Sequence, residues 1–269
     1  KGAREPEAYV NVSGGSYGEN TERAGYSGAS GKLSYAVNVE RQQIDGYRER
    51  SAFTALGAGG SLSYDVSEVW NATIAMSFNT AEYELPGWLT LEQLGTDRRQ
   101  RGNPSDSAEN RYYNANFNTT YQFGDRGSAS LGVVFGRTDV RSDITSWSSY
   151  ADWVIDTFGV MPNVVLNSTV FGRSDKLLVG VDYYSDTLNV DRFSEEARIN
   201  GTSKAEVDKK TVGGFIKNEL AFSDSLTLGL GARVETADVS GRVDAPGSRL
   251  FDGTKTHDAS ALSASLIYL

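Results

Sequence analysis

The stretch Trp70-Asn71-Ala72-Thr73-Ile74-Ala75-Met76-Ser77-Phe78-Asn79-Thr80 alternates apolar and polar side chains over its whole length. Successive residues of a β-strand point to opposite faces. Trp70, Ala72, Ile74, Met76 and Phe78 therefore share one face, and Asn71, Thr73, Ala75, Ser77 and Asn79 share the other. Between Tyr113 and Phe123 the pattern recurs, with Tyr113, Ala115, Phe117, Thr119, Tyr121 and Phe123 set against Asn114, Asn116, Asn118, Thr120 and Gln122. Leu33–Glu40, Leu177–Tyr184 and Leu226–Glu235 behave alike. The alternation predicts twelve strands, near 7–15, 19–29, 33–44, 53–65, 69–82, 111–123, 128–140, 163–171, 176–187, 209–222, 226–238 and 257–269.

The connections fall into two classes. Ser30-Gly31-Lys32, Val66-Ser67-Glu68, Gly124–Gly127, Gly172–Asp175 and Ser223-Asp224-Ser225 have tight-turn compositions. The alternate connections begin short near Tyr17 and include the long stretches 45–52, 83–110, 141–162, 188–208 and 239–256, with weak helical spacing from Ser148 to Thr157. Short turns at one end and long excursions at the other are the pattern of an outer-membrane β-barrel, with periplasmic turns and extracellular loops. Tyr64, Trp70, Tyr121, Phe123, Phe171 and Phe222 all adjoin short turns, where an interfacial aromatic girdle would stand. The fold class expected is thus all-β, an antiparallel transmembrane β-barrel. A sheet in lipid has to close, because edge strands leave backbone groups unpaired in hydrocarbon. The chain starts on Lys1-Gly2 without a leader and ends inside a strand at Leu266-Ile267-Tyr268-Leu269. These ends read as those of an internal piece, which alone would form an open, curved sheet with the first and twelfth strands as edges.

Composition bears on function. The 269 residues carry 26 basic and 35 acidic side chains, net −9, which argues against a broad nucleic-acid-binding face. The absence of cysteine excludes disulfides, thiol catalysis and thiolate metal sites. Apolar runs are too short for a transmembrane helix. A mean hydropathy of −0.40 ordinarily marks a soluble chain, but a barrel's lumen face can be as polar as water requires.

Several stretches then match a known family. Asn11-Val12-Ser13-Gly14-Gly15-Ser16-Tyr17-Gly18, Gly31-Lys32-Leu33-Ser34-Tyr35 and Asp45-Gly46-Tyr47-Arg48 resemble the first barrel strands of TonB-dependent outer-membrane receptors, and Lys1-Gly2 resembles the end of the plug that precedes them. Leu85-Pro86-Gly87-Trp88-Leu89-Thr90, Asp97-Arg98-Arg99-Gln100 and Asn103-Pro104 resemble an outer-loop pattern of iron-chelate receptors, with Arg98 standing where that pattern has proline. Val179–Tyr184 and Leu228–Arg233 resemble later strands. The resemblance implies that residues 1–269 are the N-terminal part of a 22-stranded receptor barrel, about its first twelve strands, with the plug and the last strands outside the chain. It implies active import of a scarce metal chelate, a ferric siderophore first and cobalamin or another nutrient next. Transport would be driven by the TonB–ExbB–ExbD complex acting on the plug, in a bacterial outer membrane of lipid and lipopolysaccharide.

Candidate site residues follow. In the stretch 83–110, Trp88 with Arg98, Arg99 and Arg101 suits an anionic ligand with planar groups, or else a basic loop meeting lipopolysaccharide. Trp147, Tyr150 and Trp153 suit recognition, or else packing within their own loop. Arg111, Lys217, Arg233 and Glu235 are expected on the lumen face, toward the plug. No cofactor and no metal site is expected. Asn103, Asp106, Glu109 and Asn110 offer oxygen ligands to calcium but lack EF-hand spacing, and read as solvated charge. His257 is the sole histidine, without a nucleophile-elbow context, and Glu195-Glu196 or Asp182 with Asp186 fit a wet lumen better than a hydrolase site. The competing classes are a complete twelve-stranded outer-membrane hydrolase built around His257, and a soluble glycan-binding sandwich or propeller.

Overall fold

The computed structural model of the protein describes residues 5–268, so Lys1-Gly2 and Leu269 lie outside the described residues. Twelve strands form one sheet in sequence order: β1 (Glu7–Gly14), β2 (Asn20–Ser30), β3 (Leu33–Ile44), β4 (Phe53–Ser67), β5 (Trp70–Glu84), β6 (Ser107–Gln122), β7 (Gly127–Ile144), β8 (Ser149–Val170), β9 (Arg173–Phe193), β10 (Gly201–Ala221), β11 (Leu226–Ala245) and β12 (Ser248–Tyr268). Every neighbouring pair is antiparallel. Among the described residues β1 and β12 each have a single partner, so the sheet is open, as expected.

Register carries the alternation from strand to strand. Trp70, Ile74 and Phe78 stand opposite Tyr121, Phe117 and Tyr113, while Asn71, Ala75 and Asn79 stand opposite Thr120, Asn116 and Tyr112. Leu62 faces Ile74, Phe135 faces Phe158, Val164 faces Val179, and Ile216 faces Ala232 on the same apolar side. Trp70 to Phe78 spans about 26 Å along the strand, or about 20 Å of depth at a tilt of ~40°. With its aromatic flanks this belt matches the hydrocarbon-facing band of an outer-membrane barrel. The wall is one layer thick. Among the described residues only Tyr150, Ala151 and Val190 are buried apolar side chains, while Ile74, Met76, Leu62 and Val234 remain 39–63% exposed. Lipid, not a second layer, is what this face is built to meet.

The expected strands are present, but their outer ends extend further. The stretches read as loops 141–162, 188–208 and 239–256 are mostly strand, leaving turns at 145–148, 194–200 and 246–247. Ser149–Val170 is a single 22-residue strand, and the helical spacing from Ser148 does not materialise. Strands of 18–22 residues (β7–β12) exceed the 9–11 needed to cross a bilayer and project beyond it as tall hairpins. At the opposite end, β8 and β9 join through Phe171 and Gly172, both at positive φ (51° and 73°). Such a two-residue turn matches strand twist but strains a phenylalanine. Tyr64, Trp70 and Tyr121 flank the short turns as expected, and Phe171 and Phe222 occupy the turns themselves, 98% and 69% exposed.

Candidate functional site

Among the described residues the two longest outer connections between strands are 45–52 and 85–106, and they are bolted together. The Arg48 guanidinium donates to the carbonyls of Gly87 (2.5 Å), Pro86 (3.3 Å) and Gln100 (3.1 and 3.2 Å). The Pro86 carbonyl also accepts from the backbone N–H of Gly102 (2.7 Å) and Asn103 (3.0 Å), which closes the long loop on itself. That closure needs glycine at 102, where a Cβ would lie 2.1 Å from the Trp88 carbonyl oxygen. Arg99 donates to the Tyr47 carbonyl (3.2 Å) and stacks over the Tyr47 ring, which meets Tyr17 edge-on at 5.4 Å. Arg48 and Arg99 are thus committed to loop structure. Within the loop, α1 (Leu91–Thr96) starts at a Thr90–Gln93 capping box.

A second bolt is Asp106, 2% exposed. Its carboxylate accepts from Thr145 Oγ1 (2.9 Å), Ser146 N (2.9 Å), Ser146 Oγ (2.7 Å) and Asn103 Nδ2 (2.6 Å). Burial alone would raise this carboxyl, but the donors from Ser146, Thr145 and Asn103 outweigh it and hold it below the ordinary carboxylate range. The sequence reads Asn103 and Asp106 as solvated charge, with calcium ligation as the alternative; the structure corrects this at Asp106, which is buried and hydrogen-bonded to Asn103 and to the β7–β8 turn rather than solvated. The 85–106 loop therefore rests on 45–52 through Arg48 and on 145–148 through Asp106.

Trp88 stands on this platform 74% exposed, with Arg98 and Arg101 also exposed. Trp147 caps the β7–β8 turn, 75% exposed. Tyr150 is 8% exposed and lies under Arg198, whose guanidinium bonds Asp143 (2.6 Å) and Asp152 (2.9 Å). Trp153, 40% exposed, is on the opposite face from Tyr150 and pairs with Val140. Chemically the rim offers an indole and two uncommitted guanidiniums on a rigid base, a surface for an anion with planar groups.

On the polar face, Arg233 binds Asp182 (2.5 Å) and Glu235 (2.8 Å) and lies over Phe215, and Lys217 pairs with Glu219 (2.7 Å). Glycine at 213 leaves room for that arginine, since a Cβ there would come 2.6 Å from its Nη2. Lys217, Arg233 and Glu235 share this polar face, opposite the apolar belt of Ile216 and Ala232. Arg111 does not: it stands opposite Asp139 and shares its side with Tyr113 and Phe117, so its placement corrects the expectation of a lumen residue. The physical reason is parity, because residues 111 and 113 are two apart on an unbroken strand. His257 and Asp258 are adjacent on β12 and point to opposite faces, with Asp258 accepting from Thr236 (2.8 Å), so they cannot act as a pair. Glu195 caps the 194–200 turn through Asn200 and Ile199, and hydrogen bonds from Asn200 lower its pKa. Asp182 and Asp186 are taken by Arg233 and Thr157. Arg48 lies in the family-like stretch Asp45-Gly46-Tyr47-Arg48, and Pro86, Gly87 and Gln100 lie in the family-like outer-loop pattern, but its role escapes a sequence reading because the partners are backbone carbonyls, whose pairing no side-chain type signals.

The family described as TonB dependent receptor-like, beta-barrel matches residues 11–269. No curated protein sequence matches. Among solved structures, the ferric citrate transporter FecA in its unliganded form is similar with a TM-score of 0.87 at 15% identity, over 99% of this chain and 42% of that one. The ferric yersiniabactin uptake receptor FyuA of Yersinia pestis gives 0.76 at 13% identity, over 99% and 44%. The ferric-catecholate import receptor Fiu of E. coli K12, open form, gives 0.80 at 12% identity, over 100% and 52%. The chain spans about half the length of these structures or less, and at such identities the likeness is one of fold.

Proposed function

The chain belongs to the TonB-dependent receptor β-barrel family, whose proteins lie in the bacterial outer membrane, and from that premise we propose that it forms the wall and part of the ligand-receiving rim of a receptor importing a ferric chelate. The family is one of transporters and receptors, and this chain is taken as a non-enzyme within it. The observation that carries the ligand class is the bolted 85–106 loop with Trp88, Arg98 and Arg101 exposed on it. Ferric siderophores commonly present carboxylate or catecholate oxygens around a compact core, which a guanidinium and an indole face bind well. The three relatives named above carry ferric chelates in their names, which supports the same class. Trp147 and Trp153 would extend the contact, with Tyr150 as a supporting residue under Arg198.

In this reading residues 1–269 are the N-terminal part of the barrel domain, and a plug fills the lumen against Lys217, Arg233 and Glu235. TonB–ExbB–ExbD would pull on that plug, and no cofactor is required. The test is binding and uptake by the intact receptor as it is made in the outer membrane. Ferric citrate, a ferric catecholate and cobalamin are titrated separately, and uptake is compared with and without TonB. Saturable binding of a ferric chelate, with TonB-dependent entry, is expected. Binding of cobalamin with neither ferric probe would replace the ligand class.

A further inference from the structure

The polar side of the wall, which a closed barrel turns to its lumen, is not uniform around the sheet. Among the described residues no aspartate, glutamate, lysine or arginine stands on this face of β4–β8 above Asp65. The same face of β9–β11 carries Lys176, Asp182, Lys217, Glu219, Arg233 and Glu235. At the edge of the uncharged arc and within it, asparagines pair with glycines. Asn38 stands opposite Gly59, Asn79 opposite Gly57, Asn118 opposite Gly132 and Asn114 opposite Gly136. Each amide leans across its glycine, where a Cβ would come 3.1–3.4 Å from it. With Asn116 between them, Asn114 and Asn118 make a ladder on β6, its rungs about 6.7 Å apart along the strand. Among the described residues the amides of Asn114, Asn116 and Asn118 have no hydrogen-bond partner, whereas Asn71 and Asn110, below and above them, bond Asp65 (2.6 Å) and Tyr112 (3.2 Å).

We infer that this uncharged arc is the side of the lumen along which the imported chelate travels, with Asn114, Asn116 and Asn118 as its track; the inference rests on the ferric-chelate reading above. Position supports it. The loop 85–106, which presents Trp88, Arg98 and Arg101, joins β5 to β6, so the ladder hangs directly beneath the receiving rim. At its foot, by the short turns, a hollow of about 460 Å³ opens, lined in part by Lys32, Asp65, Asn71, Thr120 and Gln122. Chemistry supports it too. The oxygens of a chelate accept hydrogen bonds from amide N–H groups, and a neutral amide holds them less tightly than a guanidinium does. Passage requires contacts that are repeated and weak enough to let go. The glycines keep the amides low against the wall. The charged arc is a poor path by the same argument. Its lysines and arginine would detain an anionic chelate, and Asp182, Glu219 and Glu235 would repel it. Arg233 and Lys217 are moreover already engaged with those carboxylates.

The test is uptake of radio-iron-labelled ferric citrate and ferric catecholate by cells making the intact receptor, with binding measured separately in cells lacking TonB. Asn116→Asp/Asn118→Asp sets two carboxylates on the track at nearly unchanged volume. Uptake is expected to fall about tenfold, while binding at the rim stays unchanged. Ser263→Asp/Ser265→Asp sets the same charge at comparable height on β12, beside the charged arc. Its uptake should stay within about twofold of wild type, because charge is screened beyond about 10 Å of water. Equal loss in the two pairs, or loss in neither, overturns the inference. So does entry of a bulky hydrophilic antibiotic without TonB in the β6 variant, which would make these amides plug contacts. If the aspartate pair yields no folded receptor, Asn118→Cys and Ser263→Cys take its place, this chain having no cysteine of its own. A bulky maleimide should then block uptake at 118 and spare it at 263, and any other pattern overturns the inference. Binding of neither probe by wild type would sink the ligand reading and this inference with it, whereas normal binding with unaltered uptake in every variant sinks this inference alone.

Discussion

Replacing Asp106 by alanine should release the 85–106 loop while leaving the barrel wall intact. Four donors at 2.6–2.9 Å converge on this carboxylate, which is 2% exposed. Hydrogen bonds to a charged group contribute about 1.5–3 kcal/mol each, but they are not additive and some donors would regain water. A total of about 3–5 kcal/mol for local opening follows, or about two to three and a half decades in amide exchange. The assay is hydrogen–deuterium exchange of the intact receptor, read on peptides covering 85–106 and 141–149 and on a belt peptide covering 113–121 as control. Both loops should lose protection together, because Asp106 joins them, while the belt peptide stays slow. The pH dependence has a definite sign. The folded carboxyl titrates below its unfolded value of about 3.9, so its contribution is full above that pH and is lost only as pH falls further. Wild-type loop protection should therefore be flat from neutral pH to about 5, after correction for intrinsic exchange. Loop exchange in the alanine variant within about threefold of wild type would refute the bolt.

Other outcomes follow from the same geometry. Arg98→Ala/Arg101→Ala should weaken ferric-chelate binding about tenfold without altering loop exchange, whereas Arg48→Ala should alter both; titration of each variant alongside exchange checks the split. Gly102→Ala places a methyl against the Trp88 carbonyl oxygen and should loosen the loop as Asp106→Ala does, visible in the same peptides. Ile74→Arg, at mid-belt on the lipid face, should cost about 2–4 kcal/mol of folding stability in bilayers, while Asn116→Arg on the lumen face should cost far less; the folded fraction on denaturant titration into vesicles measures both.

The twelve strands were legible because a wall between lipid and water needs only period two, which Trp70–Thr80 and Tyr113–Phe123 display openly. The signal faded where the environment stopped differing. Above the membrane neither face of β8 meets lipid and Tyr150 and Ala151 are both covered, so Ser149–Thr157 lost its alternation and looked like loop or weak helix, although it continues the ladder with β7. Arg111 was legible too, since its parity with Tyr113 already places it on the lipid side; counting two residues would have sufficed. The loop platform was not legible. Asp106 finds Thr145 and Ser146 about forty positions away, and Arg48 finds carbonyls, so although Arg48 and the 85–104 stretch stood out as a resemblance, nothing in them told that the two are joined. Trp88, Arg98 and Arg101 stood out by residue type alone.

A wall one residue thick has an evolutionary corollary. In an ordinary core each side chain is fixed by a dozen neighbours, and one change demands another. Here the described residues include only three buried apolar side chains, and most wall positions answer to a solvent rather than to a partner. A valine can drift to leucine, isoleucine or phenylalanine against fluid acyl chains with little consequence, provided that the face is kept. Backbone ladders, which do not read side-chain identity, preserve the shape meanwhile. Sequences can thus lose nearly all likeness while the architecture persists, which is how a TM-score of 0.87 coexists with 15% identity.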